Sequence, residues 1–240
     1  MIQESSRNGG RSETGREDRA GHPLTGTQLA VAALRAGIRI GRYVPGQRLV
    51  EADLATEIGV GRNSLREAFA YLASEGLLRV EPYRGASIRR RTRDEVAELY
   101  DLSEVLEGLA ARLAAVNITE PGHAESLSAA IEREQEGASG GSAGRRIDDA
   151  AGLHEAILVI AGRPRLTELV TNLHILTFSF QLRHAQLAGS EGLGETALAD
   201  HVAVVEAIRR ADPPQAEAAM RAHVRGTRER VLALPPTAFD

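Results

Sequence analysis

The stretch GRNSLREAF, residues 61–69, sets Arg62, Asn63, Ser64 and Arg66 at the start of an apolar-periodic segment. In a helix Arg62 and Arg66, four residues apart, share one face. A guanidinium there pairs bidentately with the O6 and N7 of guanine or clamps a phosphate. Asn63 suits adenine or a helix cap, and the Ser64 hydroxyl suits a phosphate oxygen. Leu65, Phe69 and Leu72 form the apolar stripe beneath. Further along, Arg84 and Gly85 stand at a turn, where a glycine lets backbone approach a phosphate or the minor groove beside an arginine.

The elements that position these residues follow from periodicity. Residues 1–24, rich in Gly, Ser, Arg and Glu, read as a disordered tail. A helix runs from Thr27 to near Gly41, VPGQRL (44–49) is a turn, and a short helix spans Glu51 to Ile58. Gly59 separates it from a longer helix reaching Ser74, and residues 76–90 form two strands around a turn at Pro82–Gly85. This is the order of a winged helix-turn-helix. Beyond Thr92 the pattern is helical throughout, with helices over 93–117, 121–136, 147–161, 164–187, 193–211 and 214–233, and a flexible connection at 136–144. The fold expected is mainly α: a winged helix-turn-helix with a two-stranded wing at 25–91, then an all-helical bundle at 92–235.

Charge divides along the same boundary. The 240 residues carry a formal charge of −4, but residues 27–93 balance at +6 and residues 94–240 at −10. Every basic residue is arginine. A basic module joined to an acidic one points to a polyanion as partner of the first alone. The absence of cysteine excludes disulfides and thiolate metal sites. No apolar run spans a bilayer, so no membrane partner and a cytoplasmic location are expected.

The stretch YVPGQRLVEADLATEIGVGRNSLREAFAYLASEGLLRVEPYRGASI resembles the GntR family of bacterial transcription regulators, with its P-G-x-x-L, L-A-x-x-x-G-V, R-E-A, E-G-L and R-G motifs. The resemblance assigns Arg62 and Arg66 to operator contacts and Gly85 to the wing. Gly61 stands where the family usually has serine, and Asn63-Ser64 replace its threonine-proline pair, so no relative's operator sequence carries over. The helical part is similar to the FadR-type branch, on LYDLSEVLEGLAARLAA, GLHEAILVIAGRPRL and HVAVVEAIRRADPPQAEAAMRAHV. That likeness implies an FCD-type effector domain, a carboxylate effector, and a divalent metal held by one aspartate and three histidines.

Helical geometry bears on that ligand set. His201 lies 11 residues before Asp212 and His223 nine after Pro214. At about 1.5 Å per residue, an antiparallel hairpin brings the two level. His154 sits on an apolar face with Ile157, Leu158 and Ala161. Three inward imidazoles suit zinc or nickel. The family's aspartate lies four residues before the first histidine, but position 150 here is alanine. Asp149, five residues before His154, is turned about 140° away in a regular helix and reaches the site only through a π-bulge. Failing that, the metal has three histidines and water, or is absent. His174 and His184 read as ordinary bundle residues, although His174 could line the pocket. Where relatives carry a carboxylate-pairing arginine this chain has Ser103, which offers one neutral hydrogen bond, and Arg183 is the candidate substitute.

The function expected is a homodimeric, effector-responsive repressor on a palindromic operator, not an enzyme. The alternative is a metal-dependent hydrolase on a three-histidine site, for which Glu155, next to His154, should face outward and so supplies no base.

Overall fold

The computed structural model describes residues 24–81, 84–138, 143–187 and 193–240. The tail reading for 1–24 therefore falls, up to residue 23, outside the described residues. The head begins with α1 (Gly26–Arg39), fixed by a capping box in which Thr25 accepts from the Gln28 amide and the Gln28 side chain accepts from Thr25. Ala30, Leu34 and Ile38, four residues apart, form its buried stripe. Strand β1 (Arg48–Leu49), α2 (Glu51–Ile58) and α3 (Arg62–Ser74) follow. Between the two helices Gly59 takes φ 76°, a left-handed value that ends α2 and turns the chain into α3. Strands β2 (Leu78–Glu81) and β3 (Gly85–Ile88) form the antiparallel wing, and Gly85 turns the corner with φ 83°.

The wing is broader than its expected two strands. Arg48 and Leu49, read from sequence as part of a turn, pair with Ser87 and Ala86 and give a sheet of order β1-β3-β2. Two residues are too few to show a period. Pairing with β3 alone makes them a strand.

The bundle consists of α4 (Arg93–Asn117), α5 (His123–Ala138), α6 (Ala143–Ala161), α7 (Pro164–Leu187), α8 (Leu193–Arg209) and α9 (Pro213–Leu232). A second capping box, Thr92 with Glu95, starts α4, and Asp212 caps α9 ahead of Pro213. Helices α5 and α6 each run into the stretch expected to be flexible, leaving 139–142 outside the described residues. The chain closes with a short 3₁₀ turn (Pro236–Ala238), after which Phe239 stacks on Phe180 and lies under the Arg93 guanidinium.

Two apolar cores result, one in the head and one in the bundle. Helix α7 crosses between them. Its Ile175 is buried in the head core among residues such as Leu34 and Phe69. Asn172, one turn away, accepts from Arg35 of α1 at 3.2 Å. Arg35 also pairs with Glu75, the residue that caps α3.

Candidate functional site

Two places on the molecule carry the residues singled out by sequence. At the head, Gly61 is the N-cap of α3 and offers no side-chain bond, so Arg62, Asn63 and Ser64 form the first turn. Asn63 thus lies inside the helix, in a turn whose amides lack intrahelical acceptors and whose dipole end is positive. Arg62 and Asn63 are exposed. Ser64 is half-buried against Gly26 at the start of α1, so it faces partly inward. Arg66 pairs with Glu51 of α2 at 2.9 Å but stays 64% exposed. An exposed pair of this kind is worth about 0–1 kcal/mol, which a phosphate or guanine can outcompete. At the wing tip Arg84 is exposed beside Gly85 and lies 3.6 Å from Glu81.

The second place lies inside the bundle, where α6, α8 and α9 bring His154, His201 and His223 together. His201 Nε2 lies 3.1 Å from His154 Nε2 and 3.0 Å from His223 Nε2. The donor atoms of the three lie within 4.8 Å of one another. Each Nδ1 instead faces a carboxylate: His154 meets Glu107 at 2.5 Å, His201 meets Glu134 at 2.7 Å, and His223 meets Asp200 at 3.5 Å. An Nδ1–H donated to a carboxylate leaves Nε2 as a bare lone pair. Lone pairs brought this close repel unless a cation stands between them. Tetrahedral zinc with bonds of about 2.0–2.1 Å separates its nitrogen ligands by about 3.3 Å, close to what is seen here. Carboxylates behind ligating imidazoles are the usual outer shell of such a centre. The donor set fits a divalent metal.

Electrostatics agree. Burial, then His154, pushes the His201 imidazole down to about 3, and burial, then His201, pushes His223 down to about 4. Both are neutral and able to ligate. Burial lifts Glu134 to about 7, against the pull of His154 and His223. Burial would also raise Glu107, but His174 and His154 hold it well below the usual carboxylate range. His174 in turn is raised by Glu107 despite its burial, and their contact is 3.0 Å.

Asp149 is not among the grouped donors, which corrects its expected place in the ligand set. Helix α6 is regular across 147–161, with no π-bulge, so five residues rotate Asp149 away from His154. It sits against Gly137 of α5, where its charge helps raise Glu134. Ser103 is buried on the inward face of α4. The Arg183 and His184 side chains lie outside the described residues. Glu155 is exposed, as its position next to His154 implies.

Sequence reasoning missed Glu107, Glu134 and Asp200 as partners and undervalued His174. A signal existed for two of them. Glu107 continues the buried α4 stripe of Tyr100 and Ser103, and Glu134 continues that of Leu127 and Ile131 on α5. A carboxylate on a buried stripe requires a partner.

Residues 27–88 match the profile of bacterial regulatory proteins, gntR family, and residues 98–226 match that of the FCD domain. The chain is a gntR-family member with an FCD domain. Among its relatives is a probable D-xylose utilization operon transcriptional repressor of Paenarthrobacter nicotinovorans, 31% identical over 77% of this chain and 79% of that one. Another is the HTH-type transcriptional repressor NanR of Escherichia coli, 24% identical over 82% of this chain and 81% of that protein. Among solved structures, E. coli McbR/YncC superposes with a TM-score of 0.77 at 21% identity, over 85% of this chain and 95% of the other. A regulator from Rhodococcus sp. RHA1 gives 0.72 at 20%, over 87% and 99%. The protein is thus a DNA-binding transcriptional regulator of the gntR family, mainly α in fold, and among the described residues no helix is long and apolar enough to cross a membrane.

Proposed function

We propose that this gntR-family regulator represses transcription as a homodimer on a palindromic operator, and that a small carboxylate effector in the FCD domain, next to a zinc or nickel ion on His154, His201 and His223, sets its affinity for DNA. The observation that carries the DNA half is the exposed first turn of α3, with Arg62, Asn63 and Arg66 open to a duplex groove. The convergence of three Nε2 groups, with burial holding His201 and His223 neutral, supports the metal.

A second copy has a surface to meet. Leu102, Val105, Leu109 and Val116 of α4 are 41–59% exposed and follow a spacing of three, four and seven residues, a stripe that another helix would cover. Occupancy of the site reaches the head through α7, which carries His174 against Glu107 and inserts Ile175 into the head core. A ligand that favours one setting of α7 therefore favours one setting of the heads. The relative from Paenarthrobacter nicotinovorans is a probable D-xylose utilization operon transcriptional repressor, which supports the repressor reading.

The hydrolase reading fares worse. Glu107, Glu134 and Asp200 each face an Nδ1, where they orient imidazoles, and the relatives are transcriptional regulators.

Titrating labelled DNA from the chain's own promoter region tests the reading. Binding should exceed that to unrelated DNA and fall steeply with salt through counter-ion release. Equal affinity for both DNAs, or a flat salt response, would overturn it. Val105→Glu with Leu109→Glu should convert a dimer to a monomer by light scattering. A parent that is itself monomeric removes the dimer.

A further inference from the structure

Residues 89–92 join the wing strand β3 to α4 and are the covalent link between head and bundle. Even a short link keeps two soft torsions per residue, so the pose of the head depends on what grips it. On the head side, the Arg89 amide donates to the Leu77 carbonyl at 3.0 Å, and the buried Arg91 guanidinium donates to the Gly76 carbonyl at 2.5 Å. Gly76 follows Glu75, the C-cap of α3, and carbonyls at that end carry the negative pole of the helix, which suits a cation. Arg91 therefore holds the far end of the helix whose first turn presents Arg62 and Arg66.

On the bundle side the grip comes from residues 234–240. The Asp240 amide donates to the Arg91 carbonyl at 2.9 Å, so Arg91 is tied to α3 by its side chain and to the C-terminal segment by its backbone. Arg93, at the start of α4, donates from Nη2 to the Leu234 carbonyl at 2.9 Å, and its guanidinium lies 5.0 Å from the centre of the Phe239 ring. Phe239 is buried, stacks on Phe180 of α7 at 5.6 Å, and belongs with Leu234 and Ala238 to the bundle core. Burial of Phe239 serves the bundle, whereas the Asp240 contact serves the linker.

We propose that residues 234–240 are a clasp that positions the recognition helix: Phe239 anchors the segment in the bundle, Asp240 grips the Arg91 backbone, and Arg91 carries that hold to the end of α3. Arg91, Arg93 and Phe239 are then positioning residues for DNA recognition, acting through α3. With the clasp shut, the head meets DNA already set. With it open, the head must be ordered on binding, at a cost in affinity. The consequence for DNA rests on the regulator reading; the clasp itself does not.

Trypsin, which cuts after arginine, probes the clasp in the full chain, with the cuts after Arg89 and Arg90 followed by mass spectrometry. A native linker is cut only when it opens, so the rate tracks the opening equilibrium. Phe239→Ala should speed these two cuts about tenfold and leave cuts within the bundle unchanged. Should Phe239→Ala not fold, Arg93→Ala, at the exposed start of α4, should have the same effect. Arg93→Lys, which keeps a cation and a donor, should retain the parent's rate. On labelled DNA from the chain's own promoter region, Phe239→Ala and Arg93→Ala should each bind about tenfold more weakly, from the added ordering cost. The salt slope of Phe239→Ala should match the parent's, because its phosphate contacts are unchanged. Unchanged linker cleavage in both alanine variants, acceleration spread evenly through the bundle, a full effect in Arg93→Lys, or faster cuts with undiminished DNA affinity overturns the proposal. A parent that does not prefer its promoter DNA overturns the regulator reading, and linker cleavage still decides the clasp.

Discussion

His201 and His223 face each other Nε2 to Nε2 at 3.0 Å, and each turns its other nitrogen to a carboxylate, Glu134 at 2.7 Å and Asp200 at 3.5 Å. The pair lies on α8 and α9, the hairpin whose shared turn holds Asp212 and Pro213. The carboxylates on one side orient the imidazoles, and the Nε2 atoms on the other side form a donor set that fits a divalent cation.

Removing the orienting group should weaken the metal without deleting a ligand. Glu134→Gln is expected to lower zinc affinity about 10–100-fold, the usual effect of losing such a partner. Competition with a chromophoric chelator measures it. An unchanged affinity would mean that His201 is positioned by packing alone.

The same burial makes the metal-free protein acid-sensitive. His201 and His223, held at about 3 and about 4, stay neutral when folded, but in the unfolded chain they protonate near 6.5. As pH falls from about 6.5 toward 4, the unfolded state takes up protons that the folded state refuses, so stability declines by up to about 1.4 kcal/mol per pH unit for each group. Glu134, raised to about 7, acts in the opposite sense, its contribution being lost as pH rises toward 7. Substitution isolates one contribution. His201→Gln should lose less stability than the parent between pH 6.5 and 4.5, read from urea midpoints in EDTA.

At the head, Arg66→Ala should weaken operator binding by about 10–100-fold, the cost of one guanidinium-to-guanine or phosphate contact. Its pair with Glu51 is exposed, so thermal stability should move by less than about 1 kcal/mol. Fluorescence anisotropy and circular dichroism together check both halves. Affinity unchanged within twofold would move the groove contact elsewhere.

Ile175→Ala should destabilise the head although the residue belongs to a bundle helix. It leaves a cavity among Leu34, Phe69 and their neighbours, costing about 2–4 kcal/mol. Hydrogen exchange should show protection lost in α1 and α3. Loss confined to α7 would deny the shared core.

The sequence by itself determined the local chemistry: Thr25 and Thr92 start helices because their hydroxyls accept amides three residues on, and Leu65, Phe69 and Leu72 define the buried face of α3 whatever packs against it. It also determined that His201 and His223 would be level, since the rise of a helix is fixed. Tertiary structure alone decided the rest. Glu107 and His154 are 47 residues apart in sequence and Glu134 and His201 are 67 apart, so no periodicity links them. Strand β1 exists only where β3 supplies its hydrogen bonds, and Ile175 belongs to the head core only because α7 crosses there. A helix repeat dictates which residues share a face, whereas the partner that a face meets depends on how the helices pack.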